Sequence, residues 1–107
     1  MSDFQTVAKV GDIPEGEGRA YAVNERMIAV FRIDGEYLAV DDSCPHAGAS
    51  LASGAVDEDG AVVCPWHAWR FRLTDGCWLD NPTGKITAGS HEVRIEGDDV
   101  QVRVNGE

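Results

Sequence analysis

Between positions 26 and 42 the chain reads RMIAVFRIDGEYLAVDD, two apolar, β-rich runs set around Asp34-Gly35. An Asp-Gly pair readily takes the positive φ angles of a tight turn, so this stretch predicts a β-hairpin. Towards the C-terminus, HEVRIEGDDVQVRV alternates Val93 and Ile95 with Arg94 and Glu96, then Val100, Val102 and Val104 with Gln101 and Arg103. A period of two belongs to half-buried strands, and a second hairpin is predicted around Gly97. AVVC (61–64) and RFRL (70–73) are shorter strand candidates, and the latter runs into the turn signal Thr74-Asp75-Gly76. Gly11-Asp12-Ile13-Pro14-Glu15-Gly16 and Asn81-Pro82-Thr83-Gly84 break both ladder and helix and read as loops. With no internal repeat, low-complexity tract or linker, the pattern predicts a small all-β, antiparallel sandwich or barrel interrupted by at most a short helical turn.

Length and charge narrow the picture. A chain of 107 residues is read as one domain, 1–107, and a domain of that size buries about two thirds of its unfolded surface. Asp and Glu outnumber Lys and Arg by 19 to 9, and the formal charge of -10 argues against nucleic acid or an anionic membrane as partner and favours a basic protein surface. The N-terminal MSDFQTVAKV has no apolar signal core, and the strongly apolar run from Met27 to Phe31 is too short to cross a bilayer, so a soluble, cytoplasmic protein is expected. Three cysteines are sparse for a disulfide scaffold, which turns attention to metal or redox chemistry.

Two loops carry that chemistry. The first holds Cys44-x-His46, and after residues 47–63 the second holds Cys64-x-x-His67. Two thiolates and two imidazoles can close a tetrahedron around one zinc ion, or each loop can give one sulfur and one nitrogen to a two-iron cluster, and ligand type alone does not decide. Zinc sites with two cysteines and two histidines more often draw both cysteines from one knuckle and both histidines from a helix, whereas each knuckle here is mixed.

Cys44-Pro45-His46-Ala47-Gly48 with Cys64-Pro65-Trp66-His67 resembles the motif of Rieske 2Fe-2S proteins, and WRFRLTDG extends the similarity more loosely to residue 76. The resemblance implies a small β domain with a cluster-binding subdomain inserted between strands, its loops at about 42–54 and 64–71. It implies one 2Fe-2S cluster per chain, with Cys44 and Cys64 on the inner iron and His46 and His67 on the outer one. The imidazoles would be the port for electrons, and the chain would carry one electron without catalysing a reaction itself.

Substitutions point to a branch of that family. The quinol-oxidising members add two disulfide-forming cysteines, where this chain has Ala49 and Trp66, and a serine and a tyrosine that donate hydroxyls to sulfur, where it has Trp69 and Phe71. Losing both donors in an acidic protein predicts a potential near the low end of the Rieske range, roughly -150 mV. Size, the absent cysteines, the absence of a membrane anchor and the low expected potential resemble the soluble Rieske ferredoxins, which pass electrons from a flavoprotein reductase to an oxygenase. The alternatives are the electron-transfer small subunit of an NAD(P)H nitrite reductase and a zinc-stabilised binding module. Ala68 departs from the glycine common after the second histidine but removes no ligand. Among the remaining residues, Cys77 is read as a small, inert core residue at a strand start and His91 as a solvated imidazole. Trp69 and Trp78 are read equally as core or as docking surface, Trp66 as a docking residue, and Pro82 as part of a third loop covering the cluster.

Overall fold

A computed structural model of the chain describes residues 4–23, 26–42, 50–57, 60–65, 69–74, 76–79 and 89–103. Among these the strands are β1 (Gln5–Lys9), β2 (Gly18–Val23), β3 (Arg26–Ile33), β4 (Glu36–Asp41), β5 (Ala55–Val56), β6 (Ala61–Val63), β7 (Arg70–Arg72), β8 (Ser90–Glu96) and β9 (Asp99–Arg103), with one 3₁₀ turn at Leu51–Ser53. They form a six-stranded sheet ordered β1-β9-β8-β4-β3-β2 and a three-stranded sheet ordered β5-β6-β7. The larger sheet curls until its edge strands β1 and β2 come into contact, so it approaches a barrel. Pairing is antiparallel throughout, and the all-β expectation holds.

The β3–β4 hairpin turns on Asp34 (φ 52°) and Gly35 (φ 80°), the two consecutive left-handed residues that the Asp-Gly signal called for. β3 is the pivot of the fold because both its faces are covered. Ala29 and Phe31 point with Val40 into an upper core shared with Leu51, Val62, Cys64, Phe71 and Leu73, whereas Ile28 and Val30 point with Ala39 into a lower core with Ala8, Ile13, Val23, Val100 and Val102. A strand buried on both sides reads as an unbroken apolar run, which is why IAVF shows no alternation.

The C-terminal hairpin forms as expected, with Val100 and Val102 fully buried, but Ile95 is 45% exposed. Among the described residues β4 pairs with β8 only at Ser90 and His91, so Val93 packs on the lower core while Ile95, further along, runs beyond that pairing. Val104 and the Asn81–Gly84 stretch lie outside the described residues.

The Gly11–Gly16 segment is a loop that also supplies the core, because Ile13 is fully buried and plugs the lower cluster. Ile13→Ala is expected to cost about 2–5 kcal/mol, since truncating a buried isoleucine loses both transfer energy and packing. Equilibrium urea unfolding of the two proteins measures this directly.

Candidate metal centre

Both Cys/His motifs fall in the sequence between β4 and β8, two strands of the large sheet that pair with each other (Ala39↔His91, Val40↔Ser90). The first loop leaves from Asp42 at the end of β4 and returns at Ser50. Its stem is closed by Asp42: the backbone N–H of Leu51 donates to the Asp42 carbonyl at 2.7 Å, and Oδ1 accepts from Ser50 Oγ at 2.8 Å and from the Ala52 N–H at 2.9 Å. The Asp42 N–H in turn donates to Met27 O at 3.0 Å, tying the stem to β3.

From Ser50 the chain makes the 3₁₀ turn and enters β5, which pairs with β6 in the register Ala55↔Val63. The approach is close: a Cβ on Gly54 would lie 2.1 Å from the carbonyl oxygen of Val63 and 3.1 Å from a Val62 methyl. The exit of the first loop is thus pressed against the strand that delivers Cys64. This contact joins the segment that follows the first motif to the strand that precedes Cys64.

Cys64 directly follows that strand. It is 1% exposed and belongs to the upper core. Its N–H donates to Trp69 O at 2.7 Å, which closes the second loop over positions 65–68, and Leu79 N–H donates to Arg70 O at 2.9 Å on the far side. Cys64 and Cys77 are thiols, not halves of a disulfide. Of the four candidate ligands, Cys64 falls among the described residues, whereas Cys44, His46 and His67 lie outside them, as do Ala49, Trp66, Ala68 and Pro82. Among the described residues, no three or more His, Cys, Asp or Glu side chains gather as a metal site elsewhere.

Around the second loop, Trp69 and Trp78 stack with their rings 3.8 Å apart and 10° from parallel, and both pack half-buried on the upper core. Core packing is therefore their observed role. Phe71 is fully buried beneath Trp69, at 6.4 Å between ring centres, and offers only hydrocarbon where a tyrosine would bring a hydroxyl. Cys77 is half-buried beside the Phe71↔Trp78 bridge rather than at the start of a strand, and its carbonyl accepts from Arg72 N–H at 2.8 Å.

His91 corrects the sequence reading. Its side chain is 2% exposed, and Nε2 lies 2.7 Å from Asp41 Oδ1, which also accepts from Arg26 Nη2 at 3.1 Å. The β4–β8 pairing buries the ring by placing it opposite Ala39, within reach of the carboxylate two residues on. The same carboxylate residue receives the exit of the 80–88 stretch, because Asp41 N–H donates to Gly89 O at 3.0 Å. Asp41 and Asp42 were not singled out from sequence; the available signal was an Asp-Asp pair directly before a Cys-x-His loop.

A buried thiol at the head of a tightly closed loop, held against the stem of a second loop inserted into a curled antiparallel sheet, defines a small β protein built around a metal centre. Similarity to known proteins gives the kind of centre. The chain belongs to the Rieske 2Fe-2S domain family, whose model matches residues 3–91. It is 38% identical over 92 residues to the 3-phenylpropionate/cinnamic acid dioxygenase ferredoxin subunit of Escherichia coli, covering 85% of this chain and 84% of that one. Its structure matches a chain in the complex of reduced oxygenase and oxidized ferredoxin of carbazole 1,9a-dioxygenase, with a TM-score of 0.84 and 28% identity over 97% of this chain and 95% of that chain. A protein from Mycobacterium tuberculosis described as an NADH-dependent nitrite reductase small subunit shares the fold at a TM-score of 0.89, with 24% identity over 100% of this chain and 99% of its own.

The described residues fit a 2Fe-2S cluster. Cys64 places a soft sulfur within apolar walls, the surroundings that exclude solvent from such a centre. The buried Trp78 Nε1 has no hydrogen-bond partner among the described residues, which leaves an N–H donor on the ring stacked against Trp69.

Proposed function

We propose that this chain is the ferredoxin of a multicomponent oxidoreductase: a one-electron carrier, not an enzyme, that receives electrons from a flavoprotein reductase and delivers them to an oxygenase. The observation that carries the reading is the joint one, the mixed pair Cys44-x-His46 and Cys64-x-x-His67 on two loops whose stems meet at Gly54 and Val63. Cys44, His46, Cys64 and His67 are the residues that would hold the cluster, within a single domain of residues 1–107 and loops at about 42–54 and 64–71. When bound, such a cluster takes up and releases one electron at a time. The protein's part is to exclude water from the Cys64 side through Leu51, Phe71 and Leu73.

The ferredoxin reading is preferred to the nitrite reductase small subunit because the relative at 38% identity is a ferredoxin subunit, while the likeness to the small subunit at 24% is one of fold. No helix among the described residues is long and apolar enough to cross a membrane, and a cytoplasmic site of action fits the reading. The formal charge of -10 suits basic docking faces on reductase and oxygenase.

Absorption and EPR spectra of the protein as isolated, before and after dithionite, test the proposal. The expected result is a red-brown protein with two irons and two sulfides per chain that bleaches on reduction, with a midpoint potential of roughly -150 mV. Stoichiometric zinc in a colourless protein would overturn the electron-carrier reading, and a potential above zero would overturn the low-potential assignment.

A further inference from the structure

We propose that Asp42 is a positioning residue for the first ligand loop: by closing the stem across residues 43–49, it sets where Cys44 and His46 stand relative to Cys64. The inference rests on the cluster-binding reading above and adds to it a residue that contributes no ligand of its own.

Three observations carry it. Asp42 is 7% exposed, and its carboxylate is spent on neutral donors, the Ser50 hydroxyl and the Ala52 N–H. A buried carboxylate is costly to desolvate, and a stem could be held by apolar packing alone, so this side chain does something that packing does not. That something is direction, because hydrogen bonds fix angles as well as distance and two of them meet on one oxygen.

The second observation is that the backbone of the same residue completes the junction. Its N–H is held by Met27 O on β3, and its carbonyl holds the Leu51 N–H. Asp42 thus joins the large sheet, the departure of the loop and its return. Cys44 follows only two positions later in the sequence, so the backbone direction that Asp42 fixes is set next to the ligand.

Third, the return strand cannot shift to compensate. Gly54 lies against the Val63 carbonyl one residue before Cys64, so the segment from Ser50 to Gly54 has a fixed end. Releasing the Asp42 side chain frees the beginning of that segment while its end stays clamped. The first loop is then misaimed relative to the second, with the fold otherwise intact.

The test compares the protein as isolated with Asp42→Ala, Asp42→Asn and Ser50→Ala. The readouts are the rate at which bound metal passes to a strong chelator, the EPR line shape of the reduced protein, and the rate of proteolysis within residues 43–49 after the metal is removed. Asp42→Ala is expected to release metal about 10-fold faster, at the lower end of what removing a residue behind a metal ligand does, and to broaden the EPR features. Asn keeps a side-chain oxygen that accepts both bonds, so Asp42→Asn should return within about 2-fold of the parent. Ser50→Ala removes one donor and should fall between, about 3-fold; it decides the matter if Asp42→Ala does not fold. Ile13→Ala, destabilised in the lower core away from the stem, should leave the EPR line shape unchanged. Equal metal release and line shape in Asp42→Ala and the parent would overturn the proposal, as would an Asn variant as impaired as the alanine one. Metal release and proteolysis can be read whichever metal the protein holds, so finding zinc would sink the electron-carrier reading while the stem was still tested.

Discussion

Replacing Cys64 with alanine is expected to abolish the iron–sulfur chromophore while most of the β fold survives. Cys64 is 1% exposed and belongs to the upper core, so no neighbouring water is placed to take over the sulfur's role as a ligand. Removing a residue that merely orients a ligand typically costs about 10- to 100-fold in metal affinity, and removing the ligand itself should exceed about 100-fold. The fold loses one small side chain from a core that also contains Phe31, Leu51, Val62 and Phe71, and the lower core is untouched. Far-UV circular dichroism should therefore remain close to the parent while iron and sulfide fall to background. Cys77→Ala is the control. Its half-buried thiol lies beyond β7, and its iron content should match the parent. An alanine at position 64 that still binds two irons would remove Cys64 from the ligand set.

Gly54→Ala is expected to be the most damaging glycine-to-alanine change among the described residues. The added methyl would lie 2.1 Å from the Val63 carbonyl oxygen, far inside any tolerated contact, and the obstacle is backbone paired in a sheet rather than a side chain that can rotate away. Relief requires β5 to part from β6. Overpacking of this kind costs about 3 kcal/mol, which lowers the melting temperature of a domain of this size by on the order of 15 °C. Because the contact joins the exit of the first loop to the entrance of the second, metal content should fall together with stability. Differential scanning fluorimetry with iron analysis on the same samples checks both. A variant with unchanged melting temperature and full iron would show that the two stems are not held together there.

The elements that could be read from sequence were those set by neighbours along the chain. The Asp34-Gly35 hairpin and the Gly97 hairpin each need only a turn dipeptide and flanking strands, and both formed. The strand candidates at 61–64 and 70–73 became β6 and β7 for the same reason. β1 and β2 gave no comparable signal: they are the edges of the large sheet, mostly exposed or half-exposed, and their alternation is weak. The burial of His91 follows from a pairing between positions 39 and 91 that no local window contains. Ile13 looked like loop because its neighbours are glycine and proline, although its side chain fills the lower core. The family of the metal centre was legible in two short motifs because ligand chemistry dictates residue type and spacing. What holds the loops together was not, since Asp42, Ser50 and Gly54 are ordinary loop residues until their partners are seen.

The placement of both ligand loops between paired strands also sets an order of maturation. A chain emerging from the ribosome completes the β2–β3–β4 meander first and then extrudes the two loops in turn. It cannot close β4 onto β8 until Ser90 and His91 have been made. Pairing β1 with β9 takes longer still, because Gln5 must find Val102. Contacts of such wide separation form late and slowly. Both thiol-bearing loops are thus synthesised before the frame that holds their stems is complete.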